Sequence, residues 1–74
     1  MDNLAKYVKE MRKFCNLTQQ TLAMYVGVST KFIIQLERGK KTLRLDKVLQ
    51  VLEFFDATLE VKDLSTKREE TILY

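Results

Sequence analysis

Between Thr18 and Gly39 the chain places two helix starts and two helix stops in close succession. They read Thr18-Gln-Gln-Thr-Leu-Ala-Met-Tyr-Val-Gly27 and then Val28-Ser-Thr-Lys-Phe-Ile-Ile-Gln-Leu-Glu-Arg-Gly39. Few folds accept that punctuation. The Thr18 hydroxyl is able to accept from the orphan amides of a first turn made by Gln19, Gln20 and Thr21. Gly27 takes the left-handed conformation without steric cost and so ends the helix. Ser29 is a second N-cap and Gly39 a second stop. Two short helices are expected, one starting at Gln19 and ended by Gly27, the other running from Thr30 to about Arg38. Joined by a tight turn, they have the layout of a helix-turn-helix.

The apolar positions say which side of each helix faces inward. Leu22, Ala23 and Val26 make one buried face, with small Ala23 where another backbone approaches closely. Val28 tucks into the core at the turn, and Ile33 and Leu36 form the inward side of helix three. Thr30, Lys31, Ile34 and Gln35 are left on the other side, which a short, supported helix can push into a DNA major groove. These four are the candidate base contacts, with solvated helix surface as the plain alternative for Thr30, Lys31 and Gln35. An outward Ile34 suits contact with a thymine methyl, and equally packing against Phe32 or a partner protein.

Through Leu17-Thr18-Gln19, Leu22-Ala23, Gly27-Val28-Ser29, Ile33, Gln35-Leu36-Glu37 and Gly39, residues 5–56 resemble the lambda-repressor-like (Cro/XRE-type) helix-turn-helix family. The resemblance implies an all-α, lambda-repressor-like helix-turn-helix bundle of four to five helices. It also implies that Gln19 holds a phosphate at the start of helix two, and that Thr30, Lys31 and Gln35 face base edges. The family often pairs an Arg late in helix one with a Glu late in helix three, positions held here by Arg12 and Glu37. Such a pair clamps the two helices while leaving the Arg near a phosphate.

A narrower likeness runs through Phe32-Ile33-Ile34-Gln35-Leu36-Glu37-Arg38-Gly39-Lys40, Thr42 and Leu45-Asp46-Lys47-Val48, which is similar to the HipB-like antitoxins. That subfamily represses its own operon and binds a HipA-type kinase toxin. After helix four, Ala57-Thr58-Leu59-Glu60-Val61-Lys62-Asp63-Leu64 alternates apolar and polar residues over Leu59 and Val61, the pattern of a β-strand. A lone strand must pair with a copy of itself or with another protein. The HipB-like resemblance implies pairing across a homodimer. The chain thus divides into a DNA-binding domain at 1–56, a dimerising strand at 57–64 and a flexible tail at 65–74. The tail is charged and then closes on Ile72, Leu73 and Tyr74. It is either a frayed end or, as the resemblance suggests, a short anchor for a toxin pocket.

Charge is unevenly placed within the net +3. Residues 1–47 hold ten Lys or Arg against four acids, +6, while residues 48–74 hold three against six, −3. A basic segment that coincides with the two short helices suits a phosphate binder, and the acidic segment suits a protein partner better. Lys40, Lys41 and Arg44 lie in the loop after helix three, where side chains reach the sugar-phosphate backbone without reading sequence. A solvated basic loop is the bland alternative. The candidate phosphate contacts are therefore Gln19, Ser29, Arg38, Lys40, Lys41 and Arg44.

Helix one, with Asp2 or Asn3 as its cap, is scaffold, with Leu4, Val8, Met11, Phe14 and Cys15 as its inner stripe. Cys15 is expected to be a small buried hydrophobe rather than a redox switch. Helix four, from Arg44 or Leu45 to Phe55, is expected to bury Leu45, Val48, Leu49, Leu52 and Phe55. That set is too wide for one monomer face, so part of it, with Phe54, is a candidate dimer surface. Asp56 stands where relatives often place Gly, and Tyr25 suits either a phosphate contact or a half-buried site.

Seventy-four residues, 46% hydrophobic with no Pro, make one domain with a small core that dimerisation would enlarge. One Cys allows no internal disulfide, and no stretch approaches the roughly 20 apolar residues of a membrane span. The start Met-Asp-Asn-Leu-Ala-Lys lacks a signal peptide, so a reducing cytoplasm is expected. Without His, a Cys pair or a Gly-rich phosphate loop, no enzyme, metal, cofactor or small-molecule substrate is expected. The reading is a homodimeric repressor whose two recognition helices enter a palindromic operator about 34 to 36 Å apart. A stand-alone or phage-type regulator and a protein-only adaptor on the same fold are the alternatives.

Overall fold

All four helices end in the same way, and that shared ending sets the path of the chain. In the computed structural model, which describes residues 2–57, they are α1 (Asp2–Phe14), α2 (Gln19–Val26), α3 (Thr30–Glu37) and α4 (Leu45–Phe54). Just past each helix one residue has positive φ: Asn16 at 58°, Gly27 at 91°, Gly39 at 80° and Asp56 at 58°. The residue after it sends its amide back to a carbonyl five positions earlier. These bonds are Leu17 to Arg12 at 3.0 Å, Val28 to Ala23 at 3.0 Å, Lys40 to Gln35 at 3.1 Å and Ala57 to Leu52 at 2.8 Å. This is the Schellman closure, which uses up carbonyls that the helix leaves orphaned and turns the chain sharply.

Three of the four residues that follow the left-handed position, Leu17, Val28 and Ala57, pack against the core, so each exit is fastened by apolar contact as well. Gly27 has nothing within 4 Å of where a Cβ would stand, so the demand there is purely for backbone conformation. Asp56 meets the same demand without being Gly, since Asn and Asp adopt the left-handed region more readily than other side chains.

The starts of α2 and α3 match the capping expected of them. Thr18 Oγ1 accepts the Thr21 amide at 3.0 Å and Ser29 Oγ accepts the Phe32 amide at 3.0 Å, both caps having extended backbone. Each helix is only eight residues long, too short to persist alone in water. Their packing on each other, with α1 against α3 and α4 against α2, supplies the stability.

The core is one cluster of Val8, Leu22, Ala23, Phe32, Ile33, Leu36, Val48, Val51 and Leu52, ringed by partly buried Leu4, Tyr7, Leu17, Val26, Val28, Leu43, Phe55 and Ala57. Phe32 thus joins Ile33 and Leu36 on the inner side of α3, repeating the spacing of Leu22, Ala23 and Val26 in α2. In α1 the buried residues are Ala5 and Val8, with Leu4, Tyr7 and Met11 partly covered.

Several expectations need correction. Phe14 is 81% exposed and Cys15 is exposed, because the helix stops at Phe14 and the turn at Asn16 sends Leu17 into the core in their place. Cys15 is therefore not a buried hydrophobe. Leu45 lies on the same stripe as Val48 and Leu52 but is 60% exposed, since as the first residue of α4 it overhangs the end of the cluster. Val51, fully buried, fills the centre instead. The third helix closes at Glu37 with Arg38 as its cap, and α4 ends at Phe54, one residue short of expectation in each case. Asp2 and Asn3 both lie within α1. The expected strand over Leu59 and Val61 and the tail with Ile72, Leu73 and Tyr74 fall outside the described residues.

Leu22→Ala is expected to cost about 2–5 kcal/mol through the cavity it leaves, a large part of a small domain's stability. Leu45→Ala should stay within about 0.5 kcal/mol. Urea unfolding of the two variants beside the parent chain checks both.

Candidate nucleic-acid interface

The site begins with a buried carboxylate. Glu37, at the last position of α3, has a side chain only 3% exposed, and donors from two other helices close on it. Arg12 of α1 gives Nε to Oε2 at 2.7 Å and Nη2 to Oε1 at 3.0 Å, the bidentate geometry in which guanidinium and carboxylate interact most strongly. Gln19, the first residue of α2, adds its Nε2 to Oε1 at 3.2 Å. Arg12 also donates Nη1 to the Leu17 carbonyl at 2.8 Å, which ties the α1–α2 turn to the same centre. The expected Arg12–Glu37 pair is thus present, and it is the middle of a larger network.

The resemblance implies a phosphate contact for Gln19, and the network bears on that role. A carboxylate only accepts, so the Gln19 amide must turn its nitrogen to Glu37, with one N–H committed there. The second N–H is left to donate elsewhere. Gln19 therefore stands half-buried beside the Thr18 cap at the start of α2, with its orientation set by a residue of α3.

From this frame α3 turns its other side outward. Lys31 is exposed, and Thr30, Ile34 and Gln35 are half-buried, so the four expected base contacts share one surface. Ser29 at its head is exposed, and with its oxygen accepting the Phe32 amide its O–H is free to donate. Arg38, Lys40 and Lys41 are exposed along the exit from α3. Exposed cations past the end of this face and a hydroxyl donor at its head are groups able to meet a phosphate backbone beside a groove.

Arg44, also a candidate phosphate contact, has an acidic neighbour. Its guanidinium is already engaged by Asp46, Nη2 to Oδ2 at 2.8 Å and Nε to Oδ1 at 3.2 Å, with the two side chains 70% and 61% exposed. Asp46 also accepts the Lys47 amide at 2.9 Å, doing the capping that Arg44, at the N-cap of α4, does not. The Arg44 hydrogen bond, helped by that residue's charge and by the Lys47 amide, holds the Asp46 carboxyl below its usual pKa.

Tyr25 is exposed and its ring stacks on Phe54 at 6.1 Å, while Phe54 meets Phe55 edge-on at 5.1 Å and Phe55 meets Tyr7 at 6.4 Å. Nothing in the spacing of the sequence pairs Tyr25 with Phe54. Among the described residues no group of acids, Cys or His is placed to hold a metal, and no helix is long and apolar enough to cross a membrane.

Two short capped helices around a left-handed Gly27 define a helix-turn-helix protein. The helix-turn-helix family matches over residues 8–62, and the chain belongs to it. It is similar to an uncharacterised HTH-type transcriptional regulator, y4mF, of Sinorhizobium fredii, 39% identical over 59 residues that make 80% of this chain and 78% of that one. It is similar also to one of Methanocaldococcus jannaschii, 37% identical over 81% of this chain and 86% of the relative. A third, from Archaeoglobus fulgidus, is 38% identical over 72% and 75% of the two chains.

Breaking the central pair from one side should be costly: Glu37→Leu leaves the Arg12 guanidinium without its carboxylate and is expected to destabilise by about 3–5 kcal/mol. Adding Arg12→Met should recover more than half of the loss, because two apolar side chains replace two charges. The midpoints of denaturant unfolding for the parent, single and double variants measure this coupling.

Proposed function

We propose that the protein is a sequence-specific DNA-binding transcriptional repressor that acts as a homodimer on a palindromic operator, without catalysis. The observation that carries the reading is the outer side of α3, where Thr30, Lys31, Ile34 and Gln35 share one surface flanked by exposed Lys40 and Lys41. In this reading Thr30, Lys31 and Gln35 meet base edges and Ile34 a thymine methyl, while Gln19, Ser29, Arg38, Lys40 and Lys41 position the duplex. The exposed, stacked Tyr25 and Phe54 support a second copy as partner, since contiguous apolar side chains on a small domain favour association.

The finer reading is an antitoxin that represses its own operon and binds a HipA-type kinase toxin. It draws on the HipB-like resemblance of Phe32–Lys40 and on the apolar Ile72-Leu73-Tyr74 after a charged stretch. A stand-alone or phage-type regulator uses the same helices, and the relatives' names, each reading transcriptional regulator, fit it and the antitoxin alike.

The test is binding to the duplex upstream of its own gene against a scrambled duplex at two salt concentrations, followed by addition of the neighbouring gene's product. Selective, salt-dependent binding supports the repressor, and a response to the product supports the antitoxin. Binding without selectivity favours a protein-only adaptor. Within that assay Lys31→Ala should lose about 1–3 kcal/mol on the operator and little on the scrambled duplex. Lys41→Ala should weaken both alike and flatten the salt dependence by about 0.9 in slope, one phosphate's worth.

A further inference from the structure

The segment from Lys40 to Lys47 carries Lys40, Lys41, Arg44 and Lys47 against a single acid, Asp46. That acid is not solvated at random. Its carboxylate spans Nε and Nη2 of Arg44, and Oδ1 takes the Lys47 amide as well, so it is held at one spot in the first turn of α4. The Nε–Nη edge of a guanidinium is a fork that a phosphate takes bidentately. The first-turn amides with the positive end of the helix dipole are the other feature that attracts an anion. Asp46 occupies both.

We propose that Asp46 acts as a built-in stand-in for a DNA phosphate, which lowers the contribution of Arg44 to duplex affinity. The proposal rests on the DNA-binding reading of α3 and adds to it a residue that sets the strength of binding. Because Arg44 and Asp46 are 70% and 61% exposed, the pair lies largely in water, where such pairs are weak. It therefore tunes affinity rather than gating it. A phosphate arriving at Arg44 either displaces the carboxylate or approaches beside its negative charge, and in both cases the contact yields little.

The experiment is a cycle on the full chain: parent, Arg44→Ala, Asp46→Asn and the double variant, each titrated on one duplex at several salt concentrations. Asp46→Asn retains an acceptor for the Lys47 amide while removing the charge and one of the two oxygens that face Arg44, and Asp46→Ser keeps a cap by another group. Thermal unfolding verifies that each variant is folded. Arg44→Ala should change the parent's affinity less than about two-fold and cost the Asp46→Asn chain about two- to five-fold. Asp46→Asn itself should bind more tightly, with the salt slope steeper by about 0.9 as one further phosphate is engaged. Equal losses from Arg44→Ala in the two backgrounds, or no tightening by Asp46→Asn and Asp46→Ser, would overturn the proposal while leaving DNA binding intact. A parent chain that binds no duplex overturns the DNA reading and this proposal together.

Discussion

A carboxylate almost out of water is costly unless donors surround it, and Glu37 is placed so that those donors come from two other helices. Arg12 reaches it from α1 and Gln19 from α2, while the remaining nitrogen of Arg12 holds the Leu17 carbonyl in the turn between them. Each of the two central helices is too short to be stable by itself. The pair and its partners fix the angle at which α3 leaves the core, which apolar packing alone, being non-directional, specifies less sharply.

Around that centre the fold is made from repeated local devices. An extended hydroxyl residue opens α2 and another opens α3, and a left-handed residue closes each of the four helices. The closures turn the chain within two residues, so the apolar residue that follows lands on the core and the next helix starts close by. Among the described residues, no other helix covers the outer side of α3. Its surroundings are basic, yet the cations differ in kind: Arg12 is consumed by Glu37, Arg44 is held by Asp46, and Lys31, Lys40 and Lys41 are exposed. A count of charges along the chain treats all of these as equal.

What was legible in the residues follows the range of the forces involved. Thr18, Gly27, Ser29 and Gly39 could be read because capping and left-handed closure act within four or five residues. The inward sides of α2 and α3 could be read from spacing, apart from Phe32, which lies at the edge of the α3 face. Phe14, Cys15 and Leu45 went the other way. Each continues an apolar stripe past the point where the cluster ends, and periodicity carries no information about how far a neighbouring helix extends. Val51 was missed for the converse reason, since only the placement of α4 against α2 makes it central. At the candidate site, the helical repeat places Thr30, Lys31, Ile34 and Gln35 side by side on α3, and none of them is fully buried. The engagement of Gln19 with Glu37 and of Tyr25 with Phe54 joins residues from different helices, and no local rule pairs them.

By itself the sequence determined where the helices start and stop between Thr18 and Gly39, which face of α2 and α3 is apolar, and that the first part of the chain is basic. These are properties of neighbouring residues, set by backbone conformation, side-chain hydrogen bonding and the helical repeat. Only the tertiary structure decided which apolar side chains lie inside the cluster, which way the Gln19 amide is turned, and that Arg12 is consumed by Glu37. Those outcomes depend on the distance between groups far apart in the chain, and that distance exists only once the four helices have packed.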